Sequence, residues 1–164
     1  MKKYSRDDQQ AMAVWAADCA ERVLFLFEKG YPEDSRPREA IEVCRRWIDS
    51  GQFSMAEIRR ASLAAHAAAR EAEANVAASC AARAAGQAVA TAHVPQHAYG
   101  SAYYALKAIA AVDPANAEAS VSAEYEWQSG ELPETLRKEV MQRIVVRKRK
   151  SGGVTITINK TGDF

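Results

Sequence analysis

The sequence predicts an all-α fold: a single-domain bundle of about seven helices around a central alanine-rich helical hairpin, ending in an extended or short β-hairpin tail. Three observations predict it. Between Ala56 and Ala92 alanine fills about half the positions, and alanine is both the strongest helix former and small enough for helix axes to approach to the short end of the usual range of roughly 8–10 Å. Elsewhere apolar residues recur at three- and four-residue spacing, punctuated by Gly, Pro, Ser and Asp where helices start and stop. At 164 residues the chain fits one domain that buries about two thirds of its unfolded surface, so folding requires no metal or disulfide. The helical domain is expected over 1–150 and the tail over 151–164.

Helix one is expected from about Ser5 to Lys29, with Met12, Trp15, Cys19 and Val23 on its core face and Gly30-Tyr31-Pro32 ending it. Asp34 or Ser35 can cap helix two, from about Arg36 to Asp49, and Pro37 suits a first turn where N–H groups lack partners. Its apolar face is Ala40, Ile41, Cys44, Trp47 and Ile48, and Ser50-Gly51 is the stop. Ser54-Met55-Ala56-Glu57 reads as a capping box in which the serine accepts from the third N–H and the glutamate reaches back. The periodic pattern after it could run to His93, about 60 Å of helix, which is too long for a domain of this size. A break near Glu73 to Asn75 is therefore expected. It leaves helix three to about Glu71 and helix four from Asn75 to Ala92, folded as an antiparallel hairpin with Gly86 permitting close approach.

Pro95 disfavours helical geometry at Val94 and opens helix five, which runs to about Val112. Asp113-Pro114 reads as a cap and first-turn proline for helix six, through Val121, Tyr125 and Trp127 to Ser129-Gly130. Leu132-Pro133-Glu134 opens helix seven, with Leu136, Val140 and Ile144 buried. Beyond it two readings compete. The favoured one continues helix seven to about Arg149, followed by an extended tail that can pair with a second molecule through its exposed edge, giving a homodimer. The other folds Ile144-Val145-Val146 and Val154 to Ile158 into a hairpin across Lys150 to Gly153.

The formal net charge is +1 and no apolar run approaches the roughly 20 residues of a membrane span, so no membrane partner is expected. The start, Met1-Lys2-Lys3-Tyr4-Ser5, lacks the apolar core of a signal peptide, and a cytoplasmic location is expected. Cys19, Cys44 and Cys80 are odd in number, widely spaced and set among apolar residues, which favours buried thiols over metal pairs or disulfides. The basic run from Arg137 to Lys150 reads as a solvated helix end favoured by its dipole, ahead of nucleic-acid binding.

His66, His93 and His97 are the only histidines, and three imidazoles match the ligand number of a catalytic zinc site. Pro95 spoils the helical facing of the last two, and no H-E-x-x-H accompanies them. The favoured reading is a structural polar network of His66, Arg70, Arg83, Gln87, Thr91, His93 and His97, in which buried polar groups partner one another. Arg36, Arg38, Arg45, Arg46, Arg59 and Arg60 could grip an anion, but nearby carboxylates favour an ion-paired surface. Asp18 and Glu21 come with no nucleophile, and no phosphate loop or nucleotide fingerprint is present. Enzyme chemistry is unsupported, and no cofactor is expected.

Several stretches, read together, resemble one family. They are Ala20-Glu21-Arg22-Val23-Leu24; Asp34-Ser35-Arg36-Pro37-Arg38-Glu39-Ala40-Ile41-Glu42 with Arg45 and Trp47; Ala64 to Ala72 with His66 and Arg70; and Ala81 to Val94, with Arg83, Gly86-Gln87-Ala88, Thr91 and His93, followed by His97, Ala98, Tyr104 and Lys107. Over roughly residues 15–140 the chain resembles the immunity-five-like group of immunity proteins from bacterial and archaeal polymorphic toxin systems. The D-x-R-P-R-x-A-I-E and A-G-Q-A-V-A-T-A-H-V segments carry the likeness, whereas the tail after Arg147 does not follow it. The resemblance implies a helical cytosolic protein that binds and neutralises a cognate toxin without catalysis. Its affinity would be concentrated in arginine and aromatic anchors, for which Arg36, Arg38, Trp47, Tyr103 and Tyr104 are candidates. A histidine-dependent metal protein and a nucleic-acid-associated helical adaptor are the alternatives.

Overall fold

The computed structural model describes residues 2–162, and the last two residues of the expected tail lie outside them. Seven helices precede a two-stranded hairpin: α1 Arg6–Glu28, α2 Arg36–Ser50, α3 Met55–Glu71, α4 Val76–Ala90, α5 His97–Val112, α6 Ala117–Glu131, α7 Glu134–Met141, β1 Ile144–Lys148 and β2 Val154–Ile158. α4 is the centre, packing against α1, α2, α3 and α5. Ten of its fifteen residues are buried, among them six alanines and Gly86. A helix buried nearly all round cannot carry large side chains on every face and still admit four neighbours, and alanine solves that constraint. The alanine segment is thus helical, as the sequence requires, with α4 largely buried and α3 burying one face.

The expected break falls at Ala72–Asn75, where Asn75 caps α4 by accepting from the Ala78 N–H at 3.1 Å. The register of the resulting antiparallel pair is fixed by small hydroxyls. Ser79 Oγ donates to the Ala69 carbonyl at 2.7 Å, and Ser62 Oγ donates to the Gly86 carbonyl at 2.9 Å. Larger residues fill the remaining core: Trp15, Phe27, Tyr99, Leu106 and Leu132 are almost wholly enclosed. The Trp15 indole N–H donates to the Gln128 carbonyl at 2.8 Å and so ties α1 to α6. Helix ends are closed from a distance. Gln9 Nε2 donates to the Thr91 and Ala92 carbonyls after α4, at 2.9 and 3.0 Å. Cys19, Cys44 and Cys80 are free, buried thiols.

Four local expectations are corrected. The favoured helix-plus-tail reading gives way to the hairpin, because helix α7 stops at Met141 and β1 pairs antiparallel with β2, Val146 opposite Ile156. Alternation explains the preference: Ile144 and Ile156 turn into the core, with Val146, Val154 and Ile158 packed beside them. Gly152 and Gly153, at φ +91° and +74°, make the turn; a Cβ on Gly153 would also lie 2.6 Å from the Pro114 carbonyl oxygen. Residue 150 falls within that turn, and the strand expected to await a second molecule is paired within its own chain.

Only half of the Ser54 capping box forms. Ser54 Oγ accepts from the Glu57 N–H, but the Glu57 carboxylate turns to Arg46 at 2.7 Å; the complete box is at Ser5 and Asp8. Asp113-Pro114 does not cap α6, which starts at Ala117 after Asn116. Finally, the basic run is no helix end, since it spreads over α7, β1 and the turn. Arg137 instead donates to the Ser129 and Leu132 carbonyls at 2.8 and 3.0 Å, closing the C-terminus of α6 rather than its own helix.

Candidate functional site

Between α5 and β2 lies a cleft of about 630 Å³. Its helical wall presents Gln87, His97, Gly100, Tyr103 and Tyr104, and its far wall presents Thr157, Ile158 and Lys160. Among the described residues no aspartate or glutamate lines it. A second hollow of about 350 Å³ follows the same two elements, with Lys107 and Ala110 facing Val154, Thr155 and Ile156.

Two helix-interior glycines shape the wall by close approach. A Cβ on Gly86 would sit 2.9 Å from His66 Nε2, so the imidazole of α3 lies flush against α4. A Cβ on Gly100 would sit 2.7 Å from Gln87 Oε1, so the α4 amide lies flush against α5. Gln87 Oε1 in turn meets His97 Nδ1 at 2.7 Å, which requires the proton on Nδ1 when the ring is neutral. On the next turn of α5 the two tyrosine rings meet edge to face, 4.9 Å between centroids. A cation accompanies each ring: the Arg83 guanidinium is 5.8 Å from the Tyr104 centroid, and Lys107 Nζ is 5.3 Å from that of Tyr103.

The electrostatics of this wall have one sign. Burial lowers the His66 pKa below its ordinary 6.5, and Arg83, Arg70 and His97 lower it further. Burial, then His93, lowers that of His97. The Cys80 thiol is raised by burial, against the pull of Lys107 and Arg83. The arginines and the lysine that act on His66 and Cys80, namely Arg70, Arg83 and Lys107, are all cations. The arginines of α1 and α2 contrast with this: Arg22 holds Glu124, Arg36 holds Asp34 and Glu71, Arg38 holds Glu28, and Arg45 holds Asp18 and Glu21. Among the described residues Arg70 and Arg83 have no carboxylate at ion-pair distance.

The residues singled out in the sequence are thereby divided. Of the polar-network set, Gln87 and His97 bond directly, and Thr91 Oγ1 donates to the Gln87 carbonyl at 3.2 Å. His66 packs on Gly86, with its Nδ1 buried and unpartnered among the described residues. Arg70 and His93 are exposed, and Arg83 turns to Tyr104. Among the described residues no three His, Cys, Asp or Glu side chains are arranged to hold a metal ion. Of the anchor set, Tyr103 and Tyr104 line the cleft, whereas Arg36 and Arg38 are ion-paired elsewhere and Trp47 is buried between α2 and α3. Asp18 and Glu21, the carboxylates weighed for acid–base work, both hold Arg45 at 2.6 and 2.7 Å.

Sequence reasoning gave no site role to Gly100, Lys107, Lys160 or the strand β2. Gly100 carried the same signal as Gly86, a glycine inside an apolar helical pattern. The contribution of β2 left no such signal, because the hairpin meets α5 only through tertiary packing.

Neither the curated proteins nor the solved structures contain a match to this chain. A family model does match, over residues 2–135, and so covers the helices that carry Arg83, Gln87, His97 and the tyrosine pair but not the hairpin. The chain belongs to the family described as Imm-5 like putative immunity protein.

Proposed function

We propose that this protein binds a cognate toxin of a polymorphic toxin system directly and neutralises it by occlusion, without catalysis and in the cytoplasm. Membership of an immunity-protein family is the observation that carries the reading. The chemistry of the α4–α5 wall supports it, because tyrosine and arginine are the side chains most enriched in the energetic centres of protein interfaces. Tyr103 and Tyr104 are the anchors best placed to act. Arg36, Arg38 and Trp47 have less to offer a partner, since ion pairs and burial already engage them. No helix among the described residues is long and apolar enough to cross a membrane, which fits a protein that meets its partner in solution.

The test is co-expression with the polypeptide encoded beside it, followed by titration of the purified pair. Neutralisation by occlusion saturates at a fixed molar ratio, whereas an enzymatic antidote acts at trace amounts. Toxicity unchanged by this protein would end the proposal.

A further inference from the structure

We propose that the groove between α5 and β2 receives an extended acidic segment of the partner protein, with Arg83 and Lys107 meeting its carboxylates and the Tyr103–Tyr104 pair packing beside its chain. This deepens the immunity reading and rests on it. Four observations converge on that occupant.

The first is charge. Among the described residues the groove lining contains no acid, and Arg83 and Lys107 are held by aromatic faces rather than by carboxylates. An incoming carboxylate therefore breaks no existing ion pair, whereas at Arg36 or Arg45 it would displace two. The second is preorganisation. Each cation rests on a tyrosine ring, and the rings brace each other edge to face, so less side-chain freedom remains to be lost on binding. The third is length. The two hollows follow α5 from Gly100 to Ala111, about 16 Å at 1.5 Å per residue, which spans about five residues of extended chain. The fourth is the free edge of β2. Asn159 N–H donates to the Arg143 carbonyl and the Gly153 carbonyl accepts from the Arg149 N–H, the residues flanking β1, so alternation turns the main-chain groups of Val154, Ile156 and Ile158 away from β1. No hydrogen bond among the described residues takes up those groups, and an extended segment can.

A nucleic acid fits these observations less well. Phosphate binding needs a stripe of many cations, but the net charge is +1. The richest basic run is partly engaged: Lys148 holds Glu118, and Arg149 donates to Thr155 at 2.8 Å. Apolar surface also borders the groove, where Val76 is 56% exposed beside Lys107, as suits a peptide better than a phosphate backbone.

The inference further divides labour within the site. The family-matched helices supply the cations and rings, and the hairpin, which lies beyond residue 135, supplies the opposing wall. Changes on β2 are therefore expected to alter which partner is accepted while leaving the acid preference intact.

The experiment titrates the full-length protein with a labelled short oligoglutamate peptide at low salt, with oligolysine and single-stranded RNA as competing probes. Amide chemical shifts should move at Gly100, Tyr104, Lys107 and Ile156. Removing Arg83 and Lys107 together, as R83Q/K107Q, should weaken binding about tenfold or more. The charge-matched double variant K3Q/K29Q, at exposed sites flanking the two ends of α1, should leave binding unchanged. Thermal melts separate loss of binding from loss of fold. Stronger binding of RNA than of oligoglutamate, or peptide shifts elsewhere on the surface, would overturn the groove assignment.

The same R83Q/K107Q variant is then used in the protection assay with the partner gene. Wild-type protection that the variant retains in full would refute the groove and leave the immunity reading standing. Absence of wild-type protection refutes the immunity reading itself, whatever the peptide does.

Discussion

Replacing Gly86 by alanine sets two effects of known sign against each other, and the structure decides between them. In an exposed helix the change would stabilise by about 1 kcal/mol, because glycine loses more backbone entropy on folding. Here the new methyl would lie 2.9 Å from His66 Nε2, 3.0 Å from Cε1 and 3.1 Å from Cδ2. Carbon contacts normally begin near 3.5 Å, so the imidazole must withdraw by roughly half an ångström. Three ring atoms face the same point, so turning the ring about its own bond does not clear it. Overpacking of this kind costs about 1–3 kcal/mol. The net expectation is a loss of roughly 1 kcal/mol, or about 2–4 °C in Tm for a domain of this size.

The sharper result comes from the background. In a His66→Ala protein the obstructing ring is gone, and Gly86→Ala should then stabilise by about 1 kcal/mol. The coupling between the two sites is thus about 2 kcal/mol, with a reversal of sign. Urea unfolding followed by circular dichroism reads both numbers, provided that the slope with denaturant is unchanged. If Gly86→Ala stabilises the wild-type protein, or if its effect is the same in both backgrounds, the close seating of His66 on α4 is wrong.

Three further outcomes are expected. Glu124 is 6% exposed and receives three hydrogen bonds from Arg22, whose own side chain is 43% exposed. Arg22→Met should therefore cost about 1.5–3 kcal/mol, less than the cost of orphaning a fully enclosed charge because water reaches the vacated side; urea unfolding measures it, and a loss below a few tenths would contradict the geometry. Burial raises all three cysteine pKa values, that of Cys44 to about 12, so Ellman's reagent should find almost no reactive thiol near pH 8 until denaturant is added, with Cys80 the first to react in the native state. Burial together with Arg83, Arg70 and His97 lowers the pKa of His66, and burial together with His93 lowers that of His97, so the unfolded chain binds more protons than the native one just below pH 6.5. Stability is then complete above the unfolded value of 6.5 and declines as pH falls through the lower native values, a decline that His66→Gln and His97→Gln should each flatten in melts taken between pH 7.5 and 5.

Much of this architecture is written in local residue order, and particular elements show why. The break in the alanine run is readable because Asn75 has a side chain that can cap and because no compact domain of this length holds a 60 Å helix. Gly51, at φ +65°, ends α2 where a glycine after a serine should. The half-formed box at Ser54 shows the limit of such reading: Glu57 had a local partner in its own helix start, but Arg46 on α2 competes for it with a full charge. The tail shows the same limit. Ile144 to Val146 suit helix or strand equally as a local pattern, and the choice fell to the apolar surface of the bundle against which Ile144 and Ile156 are enclosed.

The candidate site follows that division. His66, Arg83, Gln87, His97 and both tyrosines stood out in the sequence as residues of interest, since each interrupts or edges an alanine pattern that has no need of it. Their assembly into one acid-free wall did not, because it depends on three helices meeting side by side at Gly86 and Gly100.

Residue order by itself settled that this chain is helical, where its first five helices turn, and that its central pair must be narrow, because propensity, capping and methyl-sized side chains act within a few positions along the chain. Only the tertiary structure decided which cations keep a carboxylate and which do not, and that β2 closes the groove over α5. Those outcomes turn on contacts between residues dozens of positions apart, and no local energy specifies them.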